Sequence, residues 1–277
     1  MKVTILAVVF SFVLAGAAEV PAMPQSCLPD PAVVVAAAAK ATTARFPDAD
    51  SVIVDDRIHT QYEADGSDIT WDDEWIKVLT EKGRRSLAQV TFGFSERYGD
   101  AGILKVEIIG TNGVARTVDF AQTLKIATDN SSMGSNIYDP LDKEGSCAVP
   151  GLQVGEIRHV RTYRRTRKAR MHDTWADMNL LELTRPILST TISVDQPAAR
   201  PVVHAVVRNP FGSTVTRAPA GFAVSAAAKV VDNNRVGNAT RHTFFIILDS
   251  MVELLHRSFY HKIVRKGSLE KRVYFYQ

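Results

Sequence analysis

Two thiols, seven imidazoles, two clusters of acids and one run of cations are the side chains in this 277-residue sequence that could do chemistry. A cysteine nucleophile needs a His to take its proton and an Asp or Asn to orient that His, usually with the Cys opening a helix. Cys147 lies in Gly145-Ser146-Cys147-Ala148-Val149-Pro150, where the proline three residues on keeps a helix from starting. Cys27 follows Pro24-Gln25-Ser26 in a Pro-rich arm, and the histidines are scattered, with His256 and His261 five apart and off a shared helix face. There is no His-Glu-x-x-His, no Gly-x-Ser-x-Gly, no phosphate-binding Gly-Lys-Ser/Thr and no Cys-x-x-Cys. The sequence therefore predicts no catalytic, cofactor-binding or metal site and no cofactor.

The remaining candidates each carry two readings. Asp55-Asp56 and Asp72-Asp73-Glu74 offer oxygens of the kind a hard cation such as calcium takes. Adjacent residues on a strand point to opposite faces, however, which favours solvated edge charge. Arg158, Arg161, Arg164, Arg165, Arg167, Lys168 and Arg170 could grip a polyanion such as lipopolysaccharide or acidic glycan. The same composition protects an exposed edge strand from aggregation. A net charge of +3 and a pI of 8.8 are a weak argument for nucleic acid, and none is expected as a partner. Trp71 and Trp75 have the chemistry of a carbohydrate-stacking platform, although buried aromatics at strand spacing are the commoner case. Cys27 and Cys147 either pair, closing a loop of roughly 120 residues and stabilising by up to about 5 kcal/mol, or stay unpaired.

The elements that must position these residues centre on a meander from Ser51 to Phe120. β-branched and aromatic runs alternate there with turns at Asp65-Gly66, Lys82-Gly83, Gly99 with Gly102, and Asn112-Gly113. In one run Ala88, Val90, Phe92 and Phe94 share a face. In another, the opposite parities of Trp71 with Trp75 and of Ile76 with Val78 require a bulge or a strand buried on both faces. Ahead of the meander, Met1-Lys2 and an apolar run through Leu14, followed by Ala15-Gly16-Ala17, read as a signal peptide cleaved near Ala17 or Ala18. That implies a periplasmic, cell-surface or secreted product with no transmembrane segment after cleavage. Asp30-Pro31 reads as the start of a peripheral helix over 33–44.

Beyond the meander, 121–150 reads as a long loop, 154–168 as a basic strand, and 173–182, 187–194 and 202–207 as further strands. Pro210, Gly212, Pro219 and Gly221 mark a linker, and apolar residues at Phe244, Ile247, Leu248, Met251, Leu255 and Phe259 have helical spacing. The expectation is a mainly β, antiparallel immunoglobulin-like β-sandwich over 48–210, carrying a peripheral N-terminal helix in a 19–47 arm. A linker over 211–242 then leads to an amphipathic C-terminal helix within 243–277. On this reading the sandwich is complete by Asn209, and removal of 221–277 leaves a soluble β domain.

Arg45-Phe46-Pro47-Asp48-Ala49-Asp50-Ser51-Val52, Trp75-Ile76-Lys77-Val78-Leu79-Thr80, Val154-Gly155-Glu156-Ile157 and Leu183-Thr184-Arg185-Pro186-Ile187, in that order and spacing, resemble a family. It is the β-sandwich domain of unknown function that precedes transglutaminase-like catalytic domains in exported bacterial proteins. The resemblance covers about 45–210. It implies a cell-envelope setting and a role beside a cysteine-type acyl-transfer module, whose nucleophile, base and orienting acid have no match in this sequence. Three functions follow as expectations: a non-catalytic module binding a protein or cell-envelope polymer, a truncated or partner component of a Cys-His-Asp enzyme, and a polyanion binder through the Arg-rich run.

Overall fold

The computed structural model describes residues 20–131, 133–135, 138–171, 175–180, 185–199, 204–207, 213–218, 221–227 and 243–247. The signal-peptide expectation for 1–18 lies outside them.

The meander forms where the turn chemistry places it. β1 (Ser51–Tyr62) and β2 (Asp68–Val78) pair antiparallel, and Gly66 adopts φ 86° in the connecting turn, where the Asp65 carboxylate accepts from Ser67 N at 2.9 Å. A second hairpin joins β4 (Gly99–Ile109) to β5 (Ala115–Thr117) through Asn112 and Gly113, the latter at φ 80°. Both glycines occupy the left-handed region that disfavours other residues. Between the hairpins, β3 (Gln89–Ser95) departs into a different sheet. Lys82-Gly83 is not a tight turn but part of a short helix, α2 (Glu81–Ser86), because the Thr80 hydroxyl accepts from Gly83 N at 3.1 Å and caps it.

The stretch 121–150 is not a plain loop. It carries β6 (Lys125–Thr128) and β7 (Asp142–Ala148), which pair with each other and, through β7, with β3. Asp-Lys-Glu-Gly-Ser-Cys-Ala has almost no intrinsic strand preference, and its partner β3 supplies what its composition lacks. β8 (Ile157–Thr166) is likewise not the edge its charges suggested, since it lies between β2 and β4. After β9 (Ala176–Leu180), β10 (Ser189–Asp195) runs parallel to β1, so the sandwich is not wholly antiparallel.

The region after Asn209 also differs from expectation. Alongside β11 (His204–Val207), the supposed linker contains β12 (Ser213–Ala218) and β13 (Gly221–Ala227), and β13 pairs with β10. Gly221 opens β13, and Pro and Gly that punctuate strands leave the same trace in a sequence as a linker. Phe244–Ile247 is not helical: it belongs to β14 (Thr243–Ile247), held between β11 and β9. A short apolar run fits either period, and these pairings decide it. The remainder of the expected tail helix lies outside the described residues.

The result is a mainly β sandwich. Its large sheet has the order β12-β13-β10-β1-β2-β8-β4-β5, and two small sheets are ordered β3-β7-β6 and β11-β14-β9. β2 is buried on both faces, which answers the parity switch. Ile76 and Val78 enter an inner core with Leu87, Val90, Val106, Ile108 and Val160, contributed by the large sheet and the β3-β7-β6 layer. Trp75 packs on the outer face against Val34 and Ala38 of α1 (Pro31–Ala38). The helix is capped by the Asp30 carboxylate on Ala32 N as expected, but it ends at Ala38, where Lys77 Nζ donates to the Ala38 carbonyl at 2.8 Å. Farther up the outer face Met23 covers Trp71, whose Nε1 donates to the Pro21 carbonyl at 2.9 Å. Both tryptophans are therefore core, being 1 % and 3 % exposed.

Because β13 supplies the neighbour of β10, a chain cut after residue 220 leaves the β10 edge bare. We expect that fragment to aggregate, in contrast to a soluble parent chain. Cooperative thermal unfolding of a soluble 19–220 fragment would contradict this placement.

Candidate functional site

Charged residues cross the central strands on both faces, and the register explains why. Asp73 lies opposite Arg161, and Glu74 opposite Val160, next to Arg158. On the outer face Asp73 is fully buried and accepts from His159 Nε2 at 2.8 Å, Arg161 Nε at 2.7 Å and Trp75 Nε1 at 2.9 Å. Burial pushes the Asp73 carboxyl up, but His159, Arg161 and Trp75 together more than reverse this and hold it below the usual range. The other His159 nitrogen, Nδ1, lies 3.2 Å from Glu107, and the ring stacks on Trp75 with centroids 3.7 Å apart. Each nitrogen of the ring thus faces a carboxylate oxygen. Asp73 and His159 are buried at the centre of this cluster, and its partners hold the strands together.

Farther along the same face His59 Nδ1 is 2.8 Å from Ser193 Oγ, and Nε2 is 3.5 Å from Asp195. The types are those of an acyl-transfer triad, but the arrangement is not. His59 is 1 % exposed beneath Trp71, Nε2 has no hydrogen-bond partner, and the Asp195 side chain is 61 % exposed. Burial pulls the His59 pKa below the imidazole range against the Asp195 charge.

The inner face holds the open site. A cleft of about 290 Å³ has Asp72, Glu74, Arg158 and Thr162 of the large sheet as its floor, with β3 along one wall and Arg185 on its lining. Arg158 is 7 % exposed. Its Nη2 donates to Glu74 at 2.9 Å, and its Nη1 donates to the Leu87 and Gln89 carbonyls at 3.4 and 3.3 Å, tying the floor to the β3 wall. Beside Glu74, Asp56 and Asp72 hydrogen-bond to each other, and the Oδ1 of each is buried without a hydrogen-bond partner. Two carboxyls bonded in this way hold a proton between them. Burial, then the Asp72 and Glu74 charges, push Asp56 well above the carboxylate range. Burial also pushes Asp72 up to about 7, with Glu74 and Asp73 adding to the shift while Asp56 and Arg158 oppose it.

The Arg-rich run is divided by these pairings. Arg158 is buried on the inner face, and Arg161 is committed to Asp73. Arg165 and Arg167 both pair with Asp100, Arg164 faces Asp68, and Arg170 lies over the Tyr98 ring. Lys168 is exposed. Cys27 and Cys147 do not pair. Both are free thiols: Cys147 lies buried in the inner core, its thiol pushed up by burial, and Cys27 lies among the outer-face residues around Trp71, across the large sheet. Among the described residues no three His, Cys, Asp or Glu side chains converge to hold a metal ion. Sequence reasoning picked out the acids but not their grouping. Asp72 and Glu74 share a face by their i, i+2 spacing, whereas their meeting with Asp56, Arg158 and Arg185 depends on strand register, which has no local trace.

A sandwich with this floor defines a class of β domain, and the comparisons identify it. The family described as "domain of unknown function with solved-structure structure (DUF3857)" matches residues 64–224, more than half of the chain, and the chain belongs to that family. Among solved structures it is similar to one described as a "putative protease" from Parabacteroides distasonis, at 13 % identity and a TM-score of 0.56. That match covers 71 % of this chain and 40 % of the other, so this chain spans well under half the length of that protein. A likeness at such identity bears on the fold alone. An M1 zinc metallopeptidase from Deinococcus radiodurans matches over 71 % of this chain and 42 % of its own, at 10 % identity and a TM-score of 0.36, too low to carry an argument. No curated protein matches the sequence.

Two substitutions test this electrostatic layout. Asp73→Ala leaves His159 and Arg161 facing an empty buried site and is expected to cost about 3–5 kcal/mol in urea unfolding. A loss below about 1 kcal/mol would contradict the buried pairing. For Asp72 the sign is opposite. The folded carboxyl keeps its proton to about pH 7 and the unfolded one releases it near the ordinary value, so this group's contribution falls as pH rises between them. Asp72→Asn should therefore gain on the parent between pH 4.5 and pH 8, by about 3 °C or more in Tm. An equal difference at both pH values would show an unperturbed carboxyl.

Proposed function

We propose that this chain is a non-catalytic, exported binding module that takes a protein or cell-envelope polymer in the cleft beside β3, and that it works alongside transglutaminase-like catalytic modules. The observation that carries the reading is the contrast between the cleft and the thiols. The cleft has an open, charged floor fixed by the Arg158 bridge, while the thiol nearest to it, Cys147, is buried, raised in pKa and without a hydrogen bond to any described histidine. A thiolate is needed for acyl transfer, and burial works against it. Pockets with a few convergent polar groups are the usual place for ligand binding. The export setting rests on the N-terminal sequence, and the association with acyl-transfer modules rests on the family resemblance.

The test is a pair of assays on the secreted form of the full chain. Co-sedimentation with isolated cell-wall sacculi and binding to immobilised envelope proteins should show saturable association that Glu74→Ala with Arg158→Ala abolishes. Amide hydrolysis and transamidation should stay at background. Turnover that disappears in Cys147→Ala would overturn the non-catalytic reading. Intact-mass analysis of the protein recovered from the cell envelope should place its first residue near 18. A full-length product retained in the cytoplasm would overturn the export reading.

A further inference from the structure

β3 is an edge strand, and the direction of its backbone groups can be read from its bonds. Val149 N donates to the Ala88 carbonyl and Glu96 N donates to the Leu141 carbonyl, so the even-numbered residues of this segment turn their polar groups toward β7. The odd-numbered ones turn away, which agrees with Arg158 reaching the Leu87 and Gln89 carbonyls from the other side. Gln89, Thr91 and Gly93 are exposed, and among the described residues no strand pairs with that side. Gln89 and Thr91 also line the cleft. Arg158 occupies the carbonyls at Leu87 and Gln89, and the edge from Thr91 onward is left as a template for an added strand beside the cleft.

The floor determines which strand it is. A segment added to β3 extends the small sheet over the large one, so every second side chain points down at Asp72 and Glu74. Asp72 shares the inner face with Asp56 from β1, Glu74 from β2 and Arg158 from β8, with Arg185 on the cleft lining, while the Asp73 charge acts on it from the opposite face. Arg158 acts on Asp72 through space but donates to Glu74 and two carbonyls, so among the described residues no cation, Arg185 included, forms an ion pair with Asp56 or Asp72. We propose that the cleft binds an extended peptide segment of a protein partner by strand addition to β3, with a lysine or arginine side chain of that segment set against the Asp56–Asp72 pair. This deepens the binding-module reading and rests on the cleft being its site.

Because the pair is close to neutral when both carboxyls are protonated and carries one negative charge when Asp72 is ionised, a cationic side chain binds better as pH rises and releases a proton when it binds at lower pH.

The experiment is calorimetric titration of the full secreted chain with three acetylated heptapeptides. One alternates valine and lysine, one alternates valine and glutamate, and one is the lysine peptide N-methylated at alternate backbone nitrogens. The lysine peptide is expected to bind at least about tenfold more tightly than either of the others at pH 8, and to lose about tenfold by pH 5.5. Asp72→Asn should abolish the pH dependence, and because it removes a buried charge its folding is not at risk. Equal affinity for the lysine and glutamate peptides overturns the assignment of the floor. Unchanged affinity on N-methylation overturns strand addition. Binding of free polylysine side-chain analogues or amino-sugar polymers as tightly as the peptide also overturns it. If sacculi bind through Glu74 and Arg158 while no peptide does, this inference fails and the binding module stands.

Discussion

The structure depends on matching charges between β2 and β8. A central strand carrying Arg158, His159, Arg161 and Arg165 could not be taken out of water unless its neighbours supplied acceptors at the same level. β2 supplies them on both faces at once, Asp73 outward to His159 and Arg161, and Glu74 inward to Arg158, while Glu107 and Asp100 of β4 complete the set. A slip of one residue would send each acid to the wrong face and leave several buried charges unpaired. The ion pairs therefore specify register more than they add stability, which is what buried pairs do best when their desolvation cost is counted.

From that register the rest follows. The apolar residues of β2 and β8 fall into an inner core below the charged level, and the β3-β7-β6 layer closes on that core. At the charged level the large sheet presents mostly polar side chains, and a cleft remains, with Arg158 bridging from floor to wall. On the outer face the tryptophans are covered: α1 packs over Trp75, and the segment around Met23 covers Trp71. One face of the seam thus became framework and the other stayed open.

Much of this was legible where the signal is local. Asp-Gly and Asn-Gly marked two hairpins, Asp30-Pro31 marked the helix start, and the parity of Trp71 against Ile76 called for a bulge or a strand buried on both faces, of which β2 is the second. What was not legible is held by partners distant in sequence. β7 has no strand-forming residues and exists because β3 pairs with it. β8 looked like an edge because charge usually marks edges, and only the acids on β2 and β4 reverse that. The Phe244–Ile247 run and the Pro/Gly-bounded stretch before it were ambiguous in period and punctuation, and pairing with β11, β9 and β10 settled them. The site was half visible. Its acids were noticed as two clusters, but their union with Arg158 over a cleft is a product of register.

The account's central claim is the placement of β8 inside the large sheet and of β3 at an open edge over the charged floor. Residue-resolved amide hydrogen exchange tests it most directly. The account predicts that amides along β8 from Ile157 to Tyr163 are among the slowest in the protein. It also predicts that β3 shows a two-residue alternation, with Val90 and Phe92 slow where they bond to β7, and Thr91 and Gly93 fast on the side away from β7. Fast exchange throughout β8, or Thr91 and Gly93 protected as strongly as Val90 and Phe92 in the free protein, would contradict it.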